Sequence, residues 1–497
     1  MSDRSDLAIR TLMLAAVLGL IGELLLRVDP WGINAPLAAL ALGTVSVTLE
    51  RRAGRATGAT WWLLGAAPLF AAIFAWRASG PLLFLSVLAV IVSLGAASLA
   101  AHRRPLHTAG AWDVLAEGIA MGLHTAFGAV RLPLGIRRDS ITWAPWHTRT
   151  GAVIRGAMLA IPPLIVFGVL FMSADEAFAR MAMDLFRFDV ELVASHVALF
   201  GVFSWLGAGY LYWVLLDDGA RVPSSERIGA RLGALEVAVV LGLVTLLFVT
   251  FIVIQSTHLF GGEALVQRTT GLTYAEYARD GFFELVVASF LLLPLLLASV
   301  WLVRDEQAAG RRPVQLLAGV LVVLIYLIMG SALYRMRIYQ EAYGLTQLRF
   351  HTTSFMAWLA LVFMFFVATV LRGRPQRFIG ATIAAAFVAV LVLAVVHPEA
   401  RIAAANVARA TAGAELDHAH LQSALGADAV PVMLASLASL PPADQCQVAQ
   451  WLTARWGTEA RRNSEGDWRT FNWSRSRART LVRENEQRLL ALPCAPG

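Results

Sequence analysis

The sequence predicts an all-α fold, a polytopic helical membrane bundle followed by a small helical extracytoplasmic domain. Hydrophobic residues make up 58% of the chain, charged residues make up 15%, and the mean hydropathy is +0.64. Apolar runs long enough to cross a bilayer recur along the chain, whereas the last hundred residues show amphipathic helical patterns. These observations exclude an ordinary soluble enzyme and require many membrane spans.

About eleven apolar runs have the length of a span. The first run has no small-residue cleavage site after it, so we interpret it as a retained span and not as a signal peptide. The eleven runs are residues 7–26, 31–49, 61–77, 81–101, 151–172, 193–216, 233–256, 282–303, 313–335, 349–371 and 377–397.

The segment 110–130 has apolar residues at helical spacing, but Asp113, Glu117 and His124 interrupt it. We therefore predict an amphipathic helix at the membrane interface. With this assignment and the N-terminus inside, the inner loops hold 20 arginines and the outer loops 9. That bias follows the positive-inside rule. It predicts a protein of the bacterial cytoplasmic (inner) membrane with its N-terminus inside and its C-terminus outside.

Four regions follow from this topology. Residues 1–105 form a four-span region, and 106–150 form a cytoplasmic-face amphipathic helix and basic loop. Residues 151–397 form a seven-span core, and 398–497 form an extracytoplasmic helical tail. The tail contains both cysteines, Cys446 and Cys494. Because disulfides persist outside the cytoplasm, we predict that these two pair.

The stretch 271–284 is rich in polar and aromatic residues and lies just ahead of a span. Thr273 and Glu276 have the spacing of a capping box, which predicts a helix start. A counterpart follows the span that begins near Val314, and Gly344 is the expected end of that helix. Thr346 then caps the next span. On the predicted topology both stretches lie outside, so we predict one polar cluster there.

The cluster has two interpretations. Its carboxylates and arginines are balanced, which is typical of a structural network of ion pairs that ties helix ends together. The same groups suit a ligand site, with arginines as anion clamps and tyrosines as walls. The candidate ligand-binding residues are Tyr274, Glu276, Tyr277, Asp280, Glu284, Arg335, Arg337, Tyr339, Tyr343, Arg349 and His351.

Motifs of common soluble enzymes are absent from the sequence. It has no phosphate-cradling Gly-Lys-Ser/Thr loop, no Gly-x-Ser-x-Gly, no His-Glu-x-x-His and no Cys-x-x-Cys. We predict no metal, no cofactor and no nucleic-acid partner. The expected partners are membrane lipids and a protein that binds the extracytoplasmic tail.

Several motifs resemble a family of bacterial multi-pass membrane proteins, domain of unknown function 4173. They are Ser173-Ala174-Asp175 with Phe178, the run 272–285, Tyr339-x-x-x-Tyr343-Gly344-Leu345-Thr346 with Arg349, Asn406 with Arg409, Leu416-Asp417 and Asp428-Ala429-Val430-Pro431. The resemblance implies the spans and an external helical tail. It implies no activity.

Three functions remain open at this point. The first is a non-enzymatic envelope protein that binds a ligand or partner at the outer cluster and signals inward. The second is a transporter, which requires ionisable residues near the middle of the membrane, whereas the sequence places them at span ends. The third is a membrane enzyme acting on a lipid-linked substrate, with Glu276, Asp280 or Glu284 as its base.

Overall fold

A computed structural model of the chain describes residues 2–52, 54, 57–101, 111–130, 190–215, 232–260, 282–303, 308–458 and 467–492. The regular elements within those ranges are helices. They are α1 (Ser2–Leu26), α2 (Asn34–Arg52), α3 (Gly58–Ala71), α4 (Ile73–Trp76), α5 (Gly80–Ala101), α6 (Ala111–Phe127), α7 (Val190–Leu215), α8 (Ala234–Phe260), α9 (Phe282–Leu302), α10 (Ala308–Tyr343), α11 (Gln347–Phe365), α12 (Gln376–Val396), α13 (Pro398–Thr411), α14 (His418–Ala424), α15 (Val430–Ser436), α16 (Pro442–Trp456) and α17 (Trp473–Leu490).

Eight helices in the described part of the chain are long and apolar enough to cross a membrane. The protein is therefore a multi-pass membrane protein. The eight segments are Ala8–Leu26, Gly80–Ala100, Ala194–Leu215, Ala234–Gln255, Phe282–Leu302, Arg311–Tyr343, Gln347–Val370 and Gln376–Val396.

The other three predicted spans have different outcomes. Residues 31–49 correspond to α2, which ends on the charged residues Glu50, Arg51 and Arg52. Residues 61–77 correspond to α3 and α4, which Ala72 separates, and this apolar stretch is shorter than the eight membrane-crossing helices, so the predicted span stays a prediction. Residues 151–172 lie outside the described residues. The count of eleven thus stays a prediction, as does the four-region division.

The segment 110–130 forms α6 and a 3₁₀ turn, Gly128–Val130. This helix has 17 residues and is not one of the eight membrane-crossing helices. Its helical character is confirmed, and its place at the membrane interface stays a prediction.

The chain divides into two compact units. The first comprises Met1–Arg27 and Ala120–Asp218. Within it, α1 packs antiparallel to α7, and their ends are joined by polar contacts. Glu23 accepts a hydrogen bond from Nδ1 of His196, and Nη2 of Arg27 donates to the Ser195 hydroxyl at 2.9 Å. The local Glu23–Arg27 pair, four residues apart, measures 3.6 Å.

The second unit comprises Val28–Ile119 and Gly219–Gly497. Its apolar core is built from α8 to α12, with buried residues such as Leu241, Leu296, Leu321 and Phe363. The helix α10 has 36 residues, which at 1.5 Å per residue is about 54 Å long. A hydrocarbon core is about 30 Å thick, so α10 extends beyond it.

The tail has a core of its own within this second unit, formed by α13 to α17 around residues such as Ile402, Met433, Leu452 and Val482. The apolar pattern of the tail predicts one helix over residues 407–421, which is wrong. The chain leaves the helix after Thr411, takes a positive φ of 94° at Gly413 and resumes as α14.

The four tryptophans of the tail are expected from the sequence either to fill its core or to contact the outer leaflet. Trp451 and Trp456 are buried in the tail core, whereas Trp468 and Trp473 are 63% and 56% exposed. The four side chains therefore divide into two pairs, one inside the core and one on the surface.

Candidate functional site

Part of the predicted outer cluster cannot be placed. Tyr274, Glu276, Tyr277 and Asp280 lie outside the described residues, as does the predicted capping box. Glu284 is exposed in the first turn of α9. A ligand-binding role for these five residues stays a prediction.

The end of α10 is held by Arg349. As predicted, α10 runs to Tyr343, Gly344 has a positive φ of 78°, and the Thr346 side chain caps α11. The Arg349 guanidinium lies 4.0 Å from the centre of the Tyr339 ring and donates to the carbonyl oxygens of Tyr343, at 3.2 Å, and Gly344. Since these carbonyls have no partner inside the helix, Arg349 acts as a helix-end cap.

The remaining members of the cluster differ in exposure. Arg335 is buried, at 7% exposed. Arg337 forms a 3.6 Å pair with Glu341, and both side chains are largely exposed. Tyr343 packs near Tyr339 with 5.1 Å between ring centres. Nδ1 of His351 donates to the Gln347 carbonyl at 2.8 Å. The described members thus include a helix cap and an exposed ion pair.

A polar network more extensive than the outer cluster lies where the tail contacts the loops before α5 and α11. We call it the polar joint. It consists of Arg77, Glu399, Asn406, Asp428 and Asn472. All five side chains belong to the second unit, and they connect the tail with the loop before α5 and the loop before α11.

Asn406 and Arg409, both on α13, hold the loop after α10. The Asn406 side chain accepts from the Leu345 amide at 2.9 Å and donates to the Leu345 carbonyl at 2.7 Å. Arg409 donates to the Ala342 carbonyl at 2.7 Å. Arg409 and Arg349 thus provide partners for the carbonyl groups of Ala342 and Tyr343 in the last turn of α10.

Arg77 and Asp428 form the buried ion pair of the joint. Arg77 is 2% exposed and Asp428 is 6% exposed, and their charged atoms are 3.7 Å apart. Nε of Arg77 also donates to the Ala394 carbonyl at 2.7 Å. Asp428 accepts from the Ala78 amide at 2.9 Å and from the Ser474 hydroxyl. The pair thus has the additional hydrogen bonds that a buried pair requires.

Asn472 connects the last tail helix to the same loop. Its side-chain nitrogen donates to the carbonyls of Phe74 and Arg77, each at 2.7 Å, while its oxygen caps α17 through the Arg475 amide. One buried side chain therefore fixes both the start of α17 and its position against the end of α4.

Glu399, in the first turn of α13, is 2% exposed. It accepts from the Gly426 amide at 2.9 Å and from the Gln347 side chain at 3.1 Å. Burial and the neighbouring Asp428 raise the pKa of Glu399 to about 7, against weaker opposing effects of Gly426, Ser79 and Arg455. The carboxyl group therefore keeps its proton to a higher pH than an ordinary glutamate does, which reduces the charge to be buried.

His397 forms the corner between α12 and α13, with φ of 58° in the left-handed region. Its ring contacts Arg77, with 2.9 Å between Nη1 and Nδ1. Burial, and then the positive charge of Arg77, lower the pKa of His397. A neutral ring can accept a hydrogen bond from the guanidinium, so the strained corner is held by the joint.

Sequence reasoning missed most of this joint. Asp428 and Asn406 stood in the motifs of the family resemblance, but no role followed from them. The sequence identifies Arg77 only as a charge of an outer loop, and it indicates no role for Asn472. A weak signal existed for Arg77, because it directly follows an apolar run.

The joint holds the tail to the ends of the helices through one buried ion pair and several hydrogen bonds. The carboxylates of Asp428 and Glu399 already accept hydrogen bonds from backbone and side-chain donors. Within the part of the chain that the structure describes, no group of three or more His, Cys, Asp or Glu side chains is placed to hold a metal ion. Cys446 is in its disulfide form, but Cys494 lies outside the described residues, so the predicted pairing stays a prediction.

Comparison with known proteins identifies the family. The family model "Domain of unknown function (DUF4153)" matches residues 64–436. The chain belongs to this DUF4153 family. The predicted resemblance to domain of unknown function 4173 is therefore wrong as to the family. No curated protein and no solved structure matches the chain. The DUF4153 match covers the end of α3 and all of α4 to α15, and with them Arg77, Glu399, Asn406 and Asp428 of the joint.

Proposed function

We propose that this protein is a non-enzymatic component of the bacterial inner membrane that binds a ligand or partner outside and relays the bound state to its spans. The observation that carries the proposal is the polar joint, above all the buried Arg77–Asp428 pair. Removing one partner of such a pair leaves a buried charge uncompensated, which is costly. The tail therefore moves together with the ends of the helices, as a relay requires.

Contacts of the tail support the proposed topology. Ile33 donates to the Phe471 carbonyl, Ala78 to Asp428, and Leu345 to Asn406. The three loops that carry these donors therefore lie on the side of the membrane where the tail lies. Since α1 precedes the first of these loops, we place the N-terminus on the opposite side, inside.

The number of crossings between these loops supports eleven spans. Between the loop of Ile33 and the loop of Ala78, α2 leads away from the tail, and α3 with α4 returns. With 19 residues, α2 is about 28 Å long, close to the thickness of a hydrocarbon core. Between the loop of Ala78 and the loop of Leu345, the described residues contain five membrane-crossing helices, α5 and α7 to α10. A return to the same side of the membrane needs an even number of crossings, and the predicted span 151–172 supplies the sixth crossing.

The outer cluster is our candidate for the ligand or partner site. Glu284 is exposed, and so is the Arg337–Glu341 pair at the projecting end of α10. We assign Tyr274, Glu276, Tyr277 and Asp280 to the same site, because they precede Glu284 directly in the sequence. Arg349, Tyr339 and Tyr343 form the supporting wall of this site.

A transporter and a membrane enzyme acting on a lipid-linked substrate are the alternatives. In the eight described spans the charged side chains lie within about one helical turn of an end of the segment, apart from Arg335 and Arg337 near the projecting end of α10. Transport pathways use ionisable groups near the membrane midplane, so this distribution favours binding over transport. An enzyme would use Glu284 as its base, and the same carboxylate variant tests that role.

Native mass spectrometry of the purified protein tests the proposed binding. We expect a bound species of defined mass on the wild type, and we expect the Glu284→Gln variant to lose it. Glu415→Gln is the matched control, because it removes one exposed carboxylate of the tail outside the cluster. Binding that survives Glu284→Gln, or that disappears equally in Glu415→Gln, would contradict the assignment of the outer cluster.

A further inference from the structure

The tail contains a cavity that the outer cluster and the joint do not use. It has a volume of about 240 Å³, enough for several heavy atoms together with water. The cavity lies between the end of α16 and one face of α17. Its lining residues are Trp456, Gly457, Thr458, Ser476, Arg479, Thr480 and Arg483.

Positive charge and hydroxyl groups meet in this cavity. Arg479 and Thr480 are adjacent, and each is three or four residues from Ser476 and Arg483, so the four residues share one face of α17. Arg479 is half-buried, and within the described residues neither Arg479 nor Arg483 forms an ion pair with a carboxylate. Like charges four residues apart on a helix repel each other, so a bound anion would relieve an unfavourable pair.

A carboxylate of the same helix lies beside the cavity lining and is already engaged by hydrogen bonds. Glu486 accepts hydrogen bonds from the Thr458 amide, at 2.9 Å, and from the Thr458 hydroxyl. It therefore orders the turn that forms one wall of the cavity. The guanidinium of Arg455 lies 6.0 Å from the centre of the Trp456 ring but is not part of the cavity lining.

We propose that this cavity binds a phosphoryl group, held by Arg479 and Arg483 with Ser476 and Thr480 as hydroxyl donors. Two guanidinium groups match the oxygens of a phosphoryl group with charge-assisted, bidentate hydrogen bonds. The group comes either from a lipid headgroup or from a free phosphate. The assignment rests on the proposed function for the outside location of the tail, and it names the chemistry of a ligand for that tail.

The test uses the full-length protein in an uncharged sugar detergent, titrated with inorganic phosphate in a calorimeter. We expect saturable binding by the wild type and at least tenfold weaker binding by the Arg479→Gln/Arg483→Gln variant. Arg488→Gln is the matched control, since it removes an exposed arginine from the same helix without touching the cavity. Unfolding temperatures of all three proteins show whether the tail is intact.

A second arm separates the two sources of phosphate. In nanodiscs of phosphatidylglycerol the wild type would bind added phosphate more weakly than in detergent if a lipid headgroup occupies the cavity, and equally well if the ligand is free phosphate. Absence of phosphate binding in detergent, or equal binding by the double variant, overturns the site. Either failure leaves the Glu284→Gln experiment unaffected, so the failure of this site is distinguishable from failure of the proposed function.

Discussion

Replacing Arg77 by methionine is expected to lower the free energy of unfolding by about 3–5 kcal/mol. The side chain is 2% exposed, and its loss leaves the buried carboxylate of Asp428 without its counter-charge. It also removes the hydrogen bond to the Ala394 carbonyl. Denaturant unfolding of the purified protein, followed by tryptophan fluorescence, measures the change.

Arg337→Met is the matched control for Arg77→Met. Arg337 also pairs with a carboxylate, but its partner Glu341 and its own side chain are largely exposed, so the expected loss is below about 1 kcal/mol. The double variant Arg77→Met/Asp428→Leu should recover part of the stability, because no unpaired buried charge remains. Equal losses in Arg77→Met and Arg337→Met would show that the joint does not hold the tail.

Replacing Gly344 by alanine is expected to destabilise the protein by about 2 kcal/mol more than the same change at Gly373. Both glycines have positive φ, 78° and 75°, so both variants carry the same conformational cost. They differ in their surroundings. A Cβ at Gly344 would lie 2.5 Å from atoms of both Asn406 and Arg409, whereas a Cβ at Gly373 meets no atom within 4 Å.

The difference between these two variants isolates the contact of the tail with the end of α10. To admit the methyl group, Asn406 must move and weaken its two hydrogen bonds to Leu345. Paired thermal or denaturant unfolding of Gly344→Ala and Gly373→Ala measures that difference. Identical losses would mean that Asn406 and Arg409 adjust freely, and that the loop after α10 does not fix the tail.

Local signals were enough to predict much of the fold. Apolar runs gave the membrane-crossing helices, since length and hydropathy largely decide where a chain crosses a bilayer. The end of α10 at Gly344 and the cap at Thr346 followed from residue types that tolerate positive φ or bind free amides. The break at Gly413 was missed, because the flanking alanines favour a continuous helix.

The sequence could not predict the polar joint, because its contacts join residues that are far apart in the chain. Ala78 and Asp428 are separated by 350 positions, and the Asn472 contact to Phe74 spans 398. No local spacing records such contacts. Each of these residues also has an ordinary local explanation, such as a turn, a cap or an interfacial arginine. In the outer cluster, Arg349 does lie against Tyr339 and bonds to the Tyr343 carbonyl, but the sequence did not reveal that Arg349 caps a helix.

The position of the tail outside the membrane is the central claim, and cysteine labelling in intact cells or spheroplasts tests it most directly. A membrane-impermeant maleimide should label Cys446 and Cys494 without lysis, and only after a reductant has opened their bridge. In a Cys446→Ser/Cys494→Ser background, Ser140→Cys in the basic loop should be labelled only after lysis. Native cysteines that require lysis for labelling, or a Ser140→Cys side chain labelled in intact cells, would contradict the topology.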